Sequence, residues 1–301
     1  MNYYKEIKNE LINNEVYKRV KDYSKNKNEL STYYNVGKLL IEAQGGEDRA
    51  KYGDGLIKEY SERLTKELGK GYSTRSLKNM RKFYLIYQKG QALPAQLTWS
   101  HYCELLSLKD INEINYYVDT SIKQNLSYRK LKEKIKSKEY QRLDDNTKLK
   151  LINKEKTVVS DFIKNPIVIK NKYNIDKEEV TEKILKKLIF EDLDNFLKEL
   201  GTGFSYIENE YKIKMGNTFN YIDLLLYNIK FNCYVVIELK VTELKKEHIG
   251  QIQIYMNYVD KNIKTINQDK TIGVIICKKD NGYYIEYSSD SRIFSKNYIL
   301  S

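Results

Sequence analysis

Residues 234–244, YVVIELKVTEL, constrain the fold of this 301-residue chain more than any other segment. Their apolar and β-branched side chains predict a strand that is buried on both faces. Glu238 and Lys240 lie inside this strand, two residues apart, and so their side chains point to the same side. Because ionised groups are costly to bury without partners, this acid and this base need a specific reason to be there.

The C-terminal part of the chain alternates between helix-like and strand-like patterns. A helix is predicted first, and strands, a second helix and two further strands follow it in the order α-β-β-β-α-β-β. The segments are residues 176–200, 204–213, 219–228, 233–241, 245–263, 271–279 and 283–288. Gly216-Asn217 predicts the first hairpin turn, and Asp280-Asn281-Gly282 predicts a turn into the last strand. This order is typical of a mixed sheet flanked by helices.

The N-terminal part has helical periodicity throughout, including one long helix over residues 15–43. Between the two parts, residues 141–175 contain Pro166 and have no sustained periodicity, which favours a connector. We therefore predict an α+β protein with three segments. An all-helical, helix-turn-helix-like domain spans residues 1–140, and an α/β domain spans residues 176–301 after the connector.

Two basic helices in the N-terminal part follow a short turn and begin at a serine, Ser73 or Ser127, which is a good N-cap residue. This arrangement resembles a helix-turn-helix, although two antiparallel helices with solvated lysines have the same pattern. Residues 1–140 contain 27 Lys and Arg against 18 Asp and Glu. The candidate nucleic-acid-binding residues are Arg75, Lys78, Arg81, Lys82, Arg129 and Lys130.

The formal net charge of +12 favours a polyanionic partner, most often nucleic acid. The three cysteines form no CxxC pair, so neither a disulfide framework nor a zinc site is indicated. The charged N-terminus lacks the apolar segment of a signal peptide, and no apolar run is long enough to span a membrane. We expect a cytoplasmic protein with no membrane partner.

Asp223 lies in YIDLLLY, a strand as apolar as the one that carries Glu238 and Lys240. If the two strands are adjacent, Asp223 and Glu238 meet, and two buried carboxylates repel each other unless a cation lies between them. Oxygen ligands of this kind select Mg²⁺ or Mn²⁺. Lys240 would then act on a phosphate held by the metal ion. A buried Glu–Lys pair beside a buried Asp remains the alternative on spacing alone.

The set Asp223, Glu238-Leu239-Lys240 resembles the PD-(D/E)xK nuclease superfamily, with Ile222 in place of the proline, a common departure in such nucleases. The wider sequence is similar to the YhcG family of PD-(D/E)xK nuclease-domain proteins. The stretches that carry this similarity are FLKELGTGFSYIENEY, YIDLLLYN, VVIELKV and GQIQIYMNYVD, together with YGDGLIKEYSERLTKEL, GYSTRSLKNMRKFY and LPAQLTWSHYCELL.

The resemblance implies that Asp223 and Glu238 are ligands of Mg²⁺ or Mn²⁺ and that Lys240 is the catalytic lysine. Gln251, four residues before Tyr255 on one helix face, would support the site. A further acid from the first helix often completes such sites. Glu191 fits the sequence pattern of the family best. The apolar stripe of this helix, however, places Glu182 on the helix face that is directed toward the site, and we prefer Glu182.

We therefore expect a Mg²⁺-dependent deoxyribonuclease, an endonuclease with an N-terminal DNA-binding domain. The alternative is a catalytically inactive nuclease-fold protein that binds DNA or acts in assembly. The sequence does not separate DNA from RNA. Double-strand cutting by a nuclease with a single site usually needs two sites, which favours a homodimer.

Overall fold

The computed structural model describes residues 2–19, 25–46, 54–88, 94–279 and 283–301. The chain divides into two compact units, residues 1–138 and residues 139–301. No helix in the described part of the chain combines the length and the apolar character that crossing a membrane requires.

All of the regular secondary structure in the described part of the first unit is helical. Its helices are α1 (Tyr3–Arg19), α2 (Lys25–Ala43), α3 (Asp54–Leu68), α4 (Thr74–Tyr87), α5 (Trp99–Leu105), α6 (Ile111–Lys123) and α7 (Tyr128–Lys136). The predicted all-helical N-terminal domain is confirmed. The single long helix expected over residues 15–43 is two helices, α1 and α2, and residues 20–24 lie outside the described part.

Local sequence explains where the basic helices begin. The side chain of Ser73 accepts a hydrogen bond from the backbone N–H of Ser76, and that of Ser127 accepts one from Lys130, so both serines are N-caps. Helices α2 and α4 pack closely at Gly37, where an added Cβ would lie 2.2 Å from the carbonyl oxygen of Met80. Only a glycine permits this approach of two helix backbones.

The second unit is a six-stranded mixed sheet with helices. Its elements are α8 (Asp145–Ile152), β1 (Ile167–Ile169), α9 (Glu182–Glu191), α10 (Leu193–Leu200), β2 (Phe204–Met215), β3 (Thr218–Asn228), β4 (Cys233–Glu243), α11 (Lys246–Asn262), β5 (Asp269–Lys279), α12 (Tyr283–Glu286) and β6 (Ile293–Leu300). The strand order is β1-β6-β5-β4-β3-β2. Strands β2, β3 and β4 pair antiparallel, whereas β4, β5, β6 and β1 pair parallel. The predicted α+β fold is confirmed.

Both faces of the central strands are buried, which explains their continuous apolar sequence. Val235 and Ile237 of β4 pack in one cluster with Leu185 of α9 and Phe196 of α10. On the other face, Val236 packs in a cluster that includes residues of α11. The Gly216-Asn217 turn joins β2 to β3 as predicted, and Gly216 has a φ of +59°, the left-handed conformation that a two-residue hairpin needs.

The segment 141–175, expected as a connector, carries structure within the second unit. It contains α8, a 3-10 turn at Val159–Phe162 and strand β1, which pairs parallel with β6. Glu199 connects this segment to α10 by hydrogen bonds. Its Oε2 accepts one from the backbone N–H of Val168 at 2.9 Å and another from Arg142. A strand of three residues is too short to produce a periodic signal, so the sequence pattern did not reveal it.

Two further elements differ from expectation. The helix predicted over residues 176–200 begins only after the N-cap Thr181 and is interrupted at Asp192, where φ is −136°. The prediction of a strand at residues 283–288 is wrong, because helix α12 occupies this region and the last strand is β6. Strands β5 and β6 are parallel, and parallel strands need a crossover connection in place of a tight turn. The turn predicted at 280–282 lies outside the described residues.

Candidate active site

Asp223 and Glu238 meet where strands β3 and β4 separate. The last described pair of these strands on this side is Leu224 with Ile237, and β4 continues beyond it paired only with β5. Asp223 and Glu238 are the next residue on each strand and are 6% and 2% exposed. The backbone N–H of Leu239 donates a hydrogen bond to Asp223 Oδ2 at 2.8 Å, which fixes the carboxylate across the fork.

Lys240 lies against Glu238, as their spacing on β4 indicates. Its Nζ donates a hydrogen bond to Glu238 Oε1 at 2.8 Å. Burial, and secondarily the charge of Asp223, raises the pKa of the Glu238 carboxyl to about 7. Burial acts to lower the pKa of Lys240, but the hydrogen bond and charge of Glu238 outweigh it, and the net direction is upward.

Lys186 of α9 is a site residue that the sequence analysis missed. Its Nζ lies 2.6 Å from Asp223 Oδ1 and 3.7 Å from a carboxylate oxygen of Glu210. Although burial acts against it, the hydrogen bond and charge of Asp223 raise the pKa of Lys186. The available signal was its position four residues after Glu182, which places both side chains on one helix face.

The structure separates the two candidate acids of the first helix. Glu182 Oε1 lies 3.9 Å from Lys240 Nζ. Glu191 points elsewhere, since its Oε2 accepts a hydrogen bond from the hydroxyl of Tyr173 at 2.6 Å. The helix-face argument therefore leads to the acid that lies beside Lys240.

Helix α11 brings a second layer of polar groups to the site. The amide of Gln251 donates a hydrogen bond to the hydroxyl of Tyr255 at 3.0 Å. Burial mainly raises the pKa of Tyr255, and the charge of Glu238 adds to the increase. His248 of α11 is partly buried, and burial together with the charge of Lys240 lowers its pKa. Gln251 therefore contacts Tyr255, whose hydroxyl is close enough to the site for the charge of Glu238 to affect its pKa.

The donor atoms at the fork suit a hard divalent cation. Glu238 Oε2 is buried and has no hydrogen-bond partner in the described part of the chain. Such an orphaned oxygen beside a second carboxylate, that of Asp223, is the arrangement expected of ligands for Mg²⁺ or Mn²⁺. Among the described residues no group of three His, Cys, Asp or Glu side chains converges as a metal cluster. The side chains of the fork therefore offer two carboxylate ligands.

The six basic residues proposed for nucleic-acid contact are not equivalent in the first unit. Arg75, Arg129 and Lys130 are exposed. Arg81 donates a hydrogen bond to Gln44, and Lys82 donates one to the backbone oxygen of Leu106. Lys78 is partly buried. Lys82 is exposed as well. Exposure thus favours Arg75 and Lys82 on α4 and the N-terminal turn of α7 as the surfaces open to a ligand.

Comparison with known proteins assigns both units. Residues 160–300 match the model of the YhcG PDDEXK nuclease domain, and residues 9–142 match that of the DUF1016 N-terminal domain. The Escherichia coli (strain K12) protein "Putative nuclease YhcG" is 25% identical over 297 residues, covering 86% of this chain and 79% of the relative.

Two solved structures have partial similarity to the chain. The crystal structure of a repair endonuclease from Pyrococcus abyssi aligns with a TM-score of 0.29 and 18% identity, covering 40% of this chain and 47% of that one. The EndoMS-dsDNA2 complex aligns with a TM-score of 0.30 and 19% identity, over 41% and 48% of the two chains. The chain thus spans about half the length of these structures.

The two domain models match successive parts of the chain in the order in which its two units occur. Together with the Asp223, Glu238 and Lys240 motif on adjoining strands, these matches identify the chain as a member of the YhcG-type PD-(D/E)xK nuclease-domain family.

Proposed function

We propose that the protein is a metal-dependent DNA endonuclease that hydrolyses phosphodiester bonds at the fork between β3 and β4. The observation that carries this proposal is the buried meeting of Asp223 and Glu238, with Glu238 Oε2 left without a hydrogen-bond partner among the residues that the structure describes. The nuclease-domain family and the name of the Escherichia coli relative support nuclease chemistry.

Each residue of the fork has a separate role in this proposal. Asp223 and Glu238 hold Mg²⁺ or Mn²⁺ through carboxylate oxygens, and the bound ion supplies Lewis-acid catalysis at the scissile phosphate. Lys240 places a positive charge where negative charge develops on the phosphate. Glu182 orients Lys240 from α9, and Gln251 supports the site through Tyr255.

The helical unit is proposed to hold the DNA. Residues 1–140 carry most of the basic surplus of the chain, and Arg75, Arg129 and Lys130 are exposed there. Phosphate contacts of this kind give sequence-independent affinity. Because one site cuts one strand, we also propose a homodimer for double-strand cutting. The described cysteines are free thiols, which suits a reducing compartment such as the cytoplasm.

The test is incubation of the full chain with supercoiled, linear, branched and single-stranded DNA, in Mg²⁺ or Mn²⁺ and in EDTA. We expect cleavage only with a metal ion, and none by Asp223→Asn, which loses a ligand while its DNA affinity is retained or improved. A parallel single-stranded RNA substrate decides between DNA and RNA. Absence of cleavage with either metal, together with an unchanged melting temperature in Mg²⁺, contradicts the proposal.

A second candidate function is a nuclease-fold protein that binds DNA without cutting it. The observation that favours it is the charge balance of the fork, where Lys186 pairs with Asp223 and Lys240 pairs with Glu238. Both carboxylates are thereby partnered by the chain itself. DNA binding that survives EDTA, with no cleavage under either metal, supports this candidate.

A further inference from the structure

Strands β2 and β3 extend beyond the sheet as a two-stranded ribbon next to the fork. Pairing of β3 with β4 ends at Leu224, whereas pairing of β3 with β2 continues to Thr218 and Met215. Strand β2 is the last strand of the sheet, so the ribbon is flanked by no other described strand. The fork carboxylate Asp223 lies at the base of this ribbon.

The ribbon has a buried face and an open face. Tyr211, Ile213, Met215 and Ile222 pack into the cluster that includes residues of α11. The alternate residues Lys212, Lys214, Phe219 and Tyr221 are exposed and form the open face. Across the ribbon Lys212 is opposite Tyr221, and Lys214 is opposite Phe219. Alternation along the strands explains the division.

The open face combines aromatic rings with positive charge. Phe219 and Tyr221 are 52% and 51% exposed, although large aromatic side chains are normally buried. Lys212 Nζ lies 3.9 Å from the centre of the Phe219 ring, which shows that the lysine and the ring share one side of the ribbon. None of these four residues is acidic, and the first carboxylates on this side are Glu210 and Asp223 at the base of the ribbon, where Lys186 pairs with both.

The open face lies on the same side as the fork. Asp223 follows Tyr221 by two residues, so the two side chains leave the strand on one side. Lys186 contacts both Asp223 and Glu210, the residues that continue the open face on β3 and β2. At strand rise, Tyr221 is about 7 Å and Phe219 about 13 Å from Asp223 along β3.

We propose that the open face binds an unpaired stretch of DNA beside the bond that is cut, with Phe219 and Tyr221 stacking on bases and Lys212 and Lys214 contacting phosphates. This inference rests on the proposed nuclease function and names its substrate class, DNA with unpaired nucleotides at the cleavage site. The faces of bases are free for stacking on side chains only when a strand is unpaired, and aromatic rings with basic residues are the usual means of holding such a strand.

The experiment measures binding of the full chain in EDTA to a fluorescein-labelled single-stranded oligonucleotide and to the matched duplex. The double variant Phe219→Leu/Tyr221→Leu keeps apolar side chains but removes the rings. We expect it to bind the single strand about tenfold more weakly or worse and the duplex within about twofold of wild type. A 2-aminopurine base in the single strand should be quenched by the wild type and not by this variant.

Two controls isolate the rings of the open face. The exchange Phe219→Tyr/Tyr221→Phe keeps both rings and should bind the single strand as the wild type does. Tyr287→Leu removes a ring that is 81% exposed elsewhere in the second unit and should have no effect. Melting temperatures of all variants verify that each is folded. If the variant Phe219→Leu/Tyr221→Leu is not folded, the exchange variant still provides a test.

Unchanged affinity of the leucine pair for the single strand overturns the inference, and so does an equal loss on the duplex, which would make the ribbon a groove-binding element. Because these measurements are made in EDTA, they are independent of catalysis. A wild-type protein that cuts no DNA in Mg²⁺ or Mn²⁺ contradicts the proposed function, whereas a leucine pair that cuts flapped and single-stranded DNA normally contradicts only the role of the open face.

Discussion

Lys186 Nζ lies 2.6 Å from Asp223 Oδ1, so an ammonium group from α9 neutralises the first carboxylate of the fork. Lys240 does the same for Glu238 at 2.8 Å. Two lysines thus balance two buried carboxylates that would otherwise repel each other. If Asp223 and Glu238 bind a divalent ion as proposed, that ion would compete with these lysines for the carboxylate oxygens.

Lys186→Met should therefore increase the affinity for Mg²⁺ while making the metal-free protein less stable. Removal of the competing cation should lower the Mg²⁺ concentration for half of the thermal shift by about tenfold, equivalent to about 1.4 kcal/mol. The metal-free free energy of unfolding should fall by about 2 kcal/mol, since Asp223 loses its partner. Lys187→Met, at a side chain 66% exposed on the same helix, is the matched control. A Mg²⁺ response equal to that of the wild type would show that Lys186 and the ion do not share Asp223.

Lys240→Ala should retain the Mg²⁺-dependent rise in melting temperature but reduce turnover by about 100-fold or more, because it removes a transition-state contact and no ligand. Asp223→Asn should lose both the Mg²⁺-dependent rise in melting temperature and turnover. If Glu238 and Lys240 are merely a buried ion pair, the double change Glu238→Leu/Lys240→Met should be neutral or stabilising, and Mg²⁺ should leave the wild-type melting temperature unchanged. Melting curves with and without Mg²⁺, together with single-turnover cleavage rates, distinguish the two outcomes.

Arg129→Gln/Lys130→Gln should weaken duplex binding at low salt and reduce the slope of log K against log salt by about 2, because each phosphate contact contributes about 1. Both side chains are exposed on the first turn of α7. Arg81→Gln should have a smaller effect, since Arg81 already bonds to Gln44. Lys38→Gln on α2, 53% exposed, is the surface control. An unchanged slope for the double variant would assign the helical unit to protein contacts.

Glu199→Gln should lower the free energy of unfolding by about 2 kcal/mol at neutral pH, because the partly buried Arg142 and the buried Lys164 lose their shared carboxylate. Burial acts to raise the pKa of Glu199, but the hydrogen bond from Arg142 and the charge of Lys164 hold this pKa below its ordinary 4.5. The stabilisation is therefore present above about pH 4.5 and is lost as the pH falls through the lowered native pKa.

Urea unfolding of the wild type and Glu199→Gln across this pH range measures the effect. The difference in stability should narrow as the pH falls below about 4.5. Glu178→Gln, at a surface pair with Lys278, should change stability by less than about 0.5 kcal/mol at any pH. If the difference in stability between the wild type and Glu199→Gln stays constant as the pH falls below about 4.5, Glu199 is not ionised in the folded protein.

Sequence alone determined the features that depend on neighbouring residues. The continuous apolar sequences of β3 and β4 and the short connection between them predicted the meeting of Asp223 and Glu238, because consecutive antiparallel strands with a tight turn pair in sequence order. The spacing of Glu238 and Lys240 predicted their contact, since residues two apart share a strand face. The helical period directed the choice between Glu182 and Glu191, because it reports which face of a helix is buried.

The tertiary structure decided what depends on residues far apart in the chain. Lys186 became the partner of Asp223 through the packing of α9 on the sheet. Its position on the same helix face as Glu182 did not indicate which strand residue it would contact. Strand β1 and the parallel pairing of β5 with β6 depend on long-range hydrogen bonds, which outweighed the strand-like sequence at residues 283–288. The open face of the ribbon arises because β4 leaves β3 at Leu224, and local alternation cannot indicate where two strands separate.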